Sequence, residues 1–222
     1  DTSSLSVLST SGNKAIVQHA NNAAGVYLYK LDSVSYDKGK TCGKKLQNDS
    51  IQITVNPVPS ATFEGGASIC KDSAGAVLIL KGSNATSPYS FLLKVNDEHI
   101  MVLSSANNGL VSYDAVNNKA GEFKYILLKA TDSKGCVQQY NTTQTVKVYE
   151  NPMALFNADP VRATVLEPFV NIVQESLSAD NYLWDFGDGN KSIETSPGTY
   201  QYQKAGRYQL KLLATNFEGT CK

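Results

Sequence analysis

Hydrophobic and polar residues alternate along this chain over short runs and do not recur at helical spacing. Between residues 76 and 150 the runs are AVLILKG (76–82), YSFLLKVN (89–96), HIMVLS (99–104), GLVSYD (109–114), EFKYILLKATD (122–132) and TQTVKVYE (143–150). Each is bounded by Gly, Asn, Asp, Ser or Pro, the residues that end strands. Strands arriving at this rate, separated by turn chemistry, predict a β-sandwich and not βαβ units. No segment keeps apolar residues at i, i+3, i+4 and i+7 for three turns without Gly, Pro or Asn interrupting, so no helix longer than a turn or two is expected.

The pattern repeats. NNAAGVYLYKLDSVSYDKGKTC (21–42) and NNKAGEFKYILLKATDSKGC (117–136) share Asn-Asn, Ala-Gly, an aromatic two residues after the glycine, an apolar strand, an Asp-bearing turn and a cysteine. A fainter third copy, KAGRYQLKLLATNFEGTC (204–221), sets Cys221 as far from Gly206 as Cys136 is from Gly121. Asn56-Pro57 and Asn151-Pro152 follow the last strand of the first two copies. Proline withholds a ladder donor and stiffens the chain there, so each pair is read as a joint. Three modules are expected: 1–57, the C-terminal part of one repeat; 58–151, a complete repeat; and 152–222, lacking its last strand. The first copy has only the second half of the pattern, so the sequence is expected to be a piece of a longer protein. Residues 1–57 would then expose a sheet edge that calls for missing strands or a partner.

Composition sharpens this reading. The hydrophobic share of 41% is ordinary, and the abundance of Ser, Thr, Asn, Gly, Val and 12 Tyr favours strands and turns. Twenty basic and 20 acidic residues cancel without long runs of either sign, which argues against nucleic-acid or anionic-membrane partners. No run approaches the ~18 apolar residues of a spanning helix, so membrane insertion is not expected. Asp1-Thr2-Ser3-Ser4 lacks the regions of a signal peptide, so any leader lies elsewhere.

Of the four cysteines, Cys70 and Cys136 fall at early and late strands of one module. A disulfide between them, across the two sheets or along one edge, is expected, with two buried free thiols as the alternative. Such a loop contributes about 4 kcal/mol in the chain-entropy treatment. Cys42 and Cys221 have no mate within their own modules and are read as having partners outside the sequence. No Cys-x-x-Cys or neighbouring His accompanies them, so no zinc site is expected.

The chemistry-bearing candidate is YLWDFGDGN (182–190), where Asp185, Asp188 and Asn190 gather oxygens beside glycines, as a calcium loop does. The alternate acids and distal Glu of an EF-hand are missing. The reading adopted is a strand that turns Trp184 and Phe186 into the core and Asp185 outward, ending in an Asp188-Gly189 turn. A metal bound by Asp185 and Asp188 is the alternative. His19 and His99 lie in different modules and outside any nucleophile setting, so no catalytic residue or cofactor is expected. The tyrosines read as half-buried strand residues; Tyr200 and Tyr202, on one face, also make a glycan platform conceivable.

NYLWDFGDGNKSIETSPGTYQYQKAGRYQLKLLATNFEG (181–219) resembles a PKD domain, matching its signature at Trp184, Asp185, Phe186, Gly187, Asp188, Gly189, Ser192, Pro197, Tyr202, Gly206 and Tyr208. Tyr200 stands where that family usually has His, and the Pro-to-Tyr spacing is one longer. The resemblance implies an extracellular Ig-like β-sandwich used as spacer or interaction module. Residues 1–150 resemble the Ig-like repeats of large Bacteroidetes surface proteins, through the VNPVPSA joint, the ASIC start and the D-x-x-G-C turn. Those proteins include gliding-motility adhesins exported by the type IX system. Together these resemblances imply an all-β tandem of Ig-like sandwiches in a non-catalytic adhesive stalk at the cell surface. The implied partners are type IX secretion and surface-attachment machinery, polysaccharide or another surface protein. An accessory region of a secreted hydrolase and a glycan-binding module are the alternatives. Asp32-Ser33-Val34, Asp49-Ser50-Ile51 and Asp72-Ser73-Ala74 resemble Bacteroidetes O-glycosylation sites, which would modify Ser33, Ser50 and Ser73.

Overall fold

A computed structural model describes residues 14–17, 23–36, 42–46, 49–96, 99–217 and 220–222, and of Tyr36, Cys42 and His99 the backbone alone. His19 lies outside the described residues. The fold is all-β and built of Ig-like sandwiches, with no helix among the described residues. The chain divides into two compact units, Asp1–Val58 and Pro59–Lys222.

Unit 1 contains two antiparallel hairpin-type pairs. Strand β1 (Gly25–Lys30) lies against β4 (Ser50–Val55), and β2 (Ser33–Tyr36) against β3 (Cys42–Lys45). Alternation puts Tyr27, Tyr29, Ile53 and Val55 on the better covered face, while Val26 and Leu28 face solvent. No described residue of this unit is fully buried.

Unit 2 begins with a two-sheet sandwich of eight strands: β5 (Ser60–Glu64), β6 (Ala67–Cys70), β7 (Val77–Ser83), β8 (Ser90–Val95), β9 (His99–Ser104), β10 (Leu110–Asp114), β11 (Gly121–Thr131) and β12 (Val137–Tyr149). One sheet runs β10-β7-β5 and the other β6-β12-β11-β8-β9; only β6–β12 is parallel. Period-two alternation aims Leu78 and Leu80 of β7, Phe91, Leu93 and Val95 of β8 and Val146 and Val148 of β12 into one core. In β11 the alternation Tyr125, Leu127 would next bury Lys129. A register shift between Leu127 and Lys129 inserts a residue, and Ala130 is buried instead. Gly82 is needed because the Tyr89 ring lies flat over it, 2.3 Å from where a Cβ would stand.

The rest of unit 2 is a smaller sandwich of β13 (Phe156–Asp159), β14 (Phe169–Gln174), β15 (Asn181–Asp185), β16 (Lys191–Ser192), β17 (Gly198–Gln201) and β18 (Lys211–Thr215). Its sheets run β13-β14-β17 and β16-β15-β18, both antiparallel. They enclose a second core of Ile172, Trp184 and Phe186, lined by Phe156, Val170, Tyr200, Tyr202 and Leu212.

Candidate functional site: an aromatic turn and a cross-linked joint

Strand β15 delivers Trp184 to the centre of the smaller core, where it is fully buried and meets Phe156 edge-on at 5.5 Å. Its Nε1–H donates to the Glu194 carbonyl at 2.9 Å, so the indole's only donor is satisfied. Two residues on, Phe186 lies on the same side and stacks on Tyr200 with centroids 3.8 Å apart. Tyr200 meets Tyr202 at 5.0 Å, and Tyr202 stacks on Tyr208 at 4.2 Å, so four rings form a continuous ladder.

Between the ladder and β16 the chain turns. Gly187 has φ +81°, and a Cβ there would stand 2.7 Å from the backbone N and O of Gln209, so only glycine fits. The Asp185 carboxylate accepts the Gly187 N–H at 3.0 Å. Asp188 accepts the Asn190 N–H at 3.0 Å through Oδ1 and the Tyr200 hydroxyl at 2.7 Å through Oδ2. Asn190 Nδ2 adds a bond to Asp188 Oδ2 at 3.3 Å. Burial pushes the Asp188 carboxyl up, but the bonds from Tyr200 and Asn190 outweigh it and hold it below the ordinary carboxylate range. Burial and the Asp188 bond together raise the Tyr200 phenol. Gly189, at φ +99° and in open space, completes the turn. Asp185 and Asp188 thus accept N–H and O–H bonds of their own sandwich, and no group of three or more His, Cys, Asp or Glu is placed to hold a metal among the described residues.

The Gly-x-Tyr stretch forms a corner. Tyr208 donates its hydroxyl to the Lys204 carbonyl at 2.7 Å, and its ring lies 3.0 Å from where a Gly206 Cβ would be. Tyr27 makes the same bond to Ala23 at 3.0 Å across Gly25. In the larger sandwich Phe123 follows Gly121 without a hydroxyl to donate.

This arrangement of tryptophan strand, glycine turn and tyrosine corner coincides with a family match over residues 150–222, described as PKD domain. Residues 150–222 form a PKD domain. Curated relatives that match part of the chain include a collagenase and a metalloprotease. Collagenase ColA of Clostridium perfringens (strain 13 / Type A) is 36% identical over 84 residues, 36% of this chain and 7% of the relative. Pre-pro-metalloprotease PrtV of Vibrio cholerae serotype O1 (strain M66-2) is 38% identical over 56 residues, 22% of this chain and 6% of the relative. The chain therefore spans less than a tenth of the length of the relatives it matches.

The second notable cluster joins the PKD domain to the sandwich before it. Cys70 is bonded to Cys221, with Cα atoms 5.6 Å apart. This corrects the expected Cys70–Cys136 pairing. Cys70 pairs with Tyr149 at the C-terminal end of β12, while Cys136 sits just before the N-terminal end of that 13-residue strand. At ~3.3 Å per residue the two ends are about 40 Å apart, far beyond the reach of a disulfide. Cys136 is a half-buried free thiol whose N–H bonds Asp132. Cys221, expected to have its partner outside the sequence, finds it inside; the Cys42 side chain lies outside the described residues.

Around the disulfide, Tyr149 stacks on Phe217 at 4.4 Å, with Lys147 Nζ 4.7 Å from the Tyr149 ring centroid. Asn216, buried, donates through Nδ2 to the carbonyls of Glu150 and Ser178. Lys71 Nζ meets Glu150 Oε1 at 2.6 Å, and Asn151 Nδ2 donates to the Lys71 carbonyl at 3.0 Å. Sequence reasoning placed Cys70 in a disulfide but gave it the wrong partner, and missed the rest of this cluster. The available signal was Asn216, which stands where the repeat has an aspartate.

Of the candidate modification sites, Ser33 and Ser50 are exposed at the first positions of β2 and β4. Ser73 is half-buried and donates its hydroxyl to the Cys70 carbonyl at 2.6 Å.

Proposed function

We propose that this chain is a non-catalytic stalk and adhesion segment of a large secreted bacterial surface protein, spacing and presenting a binding region borne elsewhere in that protein. The observation that carries this reading is the joint. Two sandwiches tied by a disulfide, an aromatic stack and a buried asparagine hold a fixed relative position, as a spacer requires and a hinge does not. A disulfide also fits an oxidising, extracellular setting. Surface attachment or gliding is the setting, with type IX export machinery and polysaccharide or another surface protein as partners. Ser33 and Ser50 are the serines available to a glycosyltransferase, whereas the Ser73 hydroxyl is engaged.

A second reading, favoured by the names of the collagenase and metalloprotease relatives, makes the chain an accessory region of a secreted hydrolase. A spacer-swap experiment separates the two. In the source organism the segment is replaced by an unrelated sandwich array of equal length, or deleted. A stalk predicts surface labelling of intact cells, attachment lost on deletion and restored by the replacement. Attachment unchanged by both, with secreted hydrolytic activity altered, would replace the stalk by the accessory region. A glycan-binding role has less support, because Tyr200, Tyr202 and Tyr208 stack on each other; glycan-array binding above background would revive it.

A further inference from the structure

We propose that the Cys70–Cys221 bond carries mechanical tension past the segment it encloses, so that strands β7 to β18 bear no load while the bond is intact. Cys221 is followed by Lys222, and Cys70 ends β6, near the start of unit 2. The bond closes a ring over a sequence separation of 151 residues, and strands β7 to β18 all lie inside it. A pull applied at the two ends of the chain enters unit 2 at Pro59, passes along β5 and β6 to Cys70, crosses the sulfur–sulfur bond and leaves through Cys221. The peptide path from 71 to 220 runs in parallel with a covalent shortcut and cannot be extended.

The surroundings suit the bond to this task. Cys221 is 1% exposed, which limits attack of a thiolate on that sulfur, while Cys70 is half-buried. The Tyr149–Phe217 stack and the Asn216 bond to Glu150 hold the PKD terminus against the end of β12. The Cys70 end is anchored too: β6 lies in parallel register with β12 from Ala67–Val146 to Cys70–Tyr149. The only strands of unit 2 on the loaded path are β5 and β6. The inference rests on the stalk reading for the origin of the load alone; the response to force is a property of the chain itself.

Single-molecule stretching of the full chain, with handles at residues 1 and 222, tests this. The oxidised chain should release no length from residues 71–220. Adding a reductant, or using Cys70→Ser, should add about 500 Å of contour length, at ~3.3–3.6 Å for each of the enclosed residues. A non-reducing peptide map accompanies the traces. A long release from the oxidised chain, or a map that leaves Cys70 and Cys221 unlinked, would overturn the proposal. So would a reduced chain whose enclosed domains resist the same forces, since no shortcut would then be needed. A spacer swap without effect on attachment, beside traces as expected, would remove the stalk and leave the force response standing.

Discussion

At the scale of single residues, the signature of the PKD domain is a set of steric and hydrogen-bonding requirements and not a reactive centre. Gly187 lies in the left-handed region with the Gln209 backbone where a side chain would begin. Gly187→Ala should cost about 2–4 kcal/mol, combining backbone strain with overpacking, and be read as a lowered denaturation midpoint. Asp188 supports the turn as a carboxylate whose pKa lies below its ordinary 3.8. A depressed folded-state pKa contributes stability that is present above the unfolded value and lost as pH falls through the folded one. The difference in melting temperature between wild type and Asp188→Asn should therefore be present at pH 6 and shrink as pH drops below about 4. Chelation followed by calcium addition should leave the melting temperature unchanged, because Asp185 and Asp188 accept bonds from groups of their own sandwich.

At the scale of elements, the two late turns of unit 2 follow one plan with different ends. The Asp132 N–H meets the Cys136 carbonyl at 3.0 Å, as the Asn216 N–H meets that of Cys221 at 3.2 Å. Asp132 uses Oδ1 to accept from the N–H groups of Lys134 and Cys136 in its own turn and Oδ2 to accept from the Thr86 N–H at 3.3 Å. Asn216, having an amide to donate, reaches the carbonyls of Glu150 and Ser178 instead. Asn216→Asp would set a carboxylate against two carbonyl oxygens and should destabilise unit 2 by about 2–4 kcal/mol, measured by equilibrium unfolding, whereas Asp132→Asn should cost less. Strands with a wet face and a dry one were readable from the sequence: the runs at 76–82, 89–96, 99–104 and 109–114 are β7 to β10 within a residue or two. The start of β12 was not, since Gln138, Gln139, Asn141 and Thr142 are exposed and nothing alternates there. The bulge in β11 was hidden too, because Ile126, Leu127 and Leu128 are apolar whichever of them points inward. The tryptophan turn was legible residue by residue, its spacing being imposed by local geometry.

At the scale of the whole molecule, the error over Cys70 has a single cause. Counting cysteines within a module assumes that each module closes on itself, and the parallel pairing of β6 with the end of β12 places Cys70 at the border with the next one. Sequence separation carries no information about which end of a strand a residue occupies. With a separation of 151 residues, the chain-entropy treatment gives this bond about 5 kcal/mol, so calorimetry in reductant should show unit 2 melting at a lower temperature than in its absence. The same closure has a consequence for a protein exposed to proteases. One cut anywhere between Lys71 and Thr220 opens the ring without dividing it, so a chain nicked once there migrates as a single molecule until its disulfide is reduced.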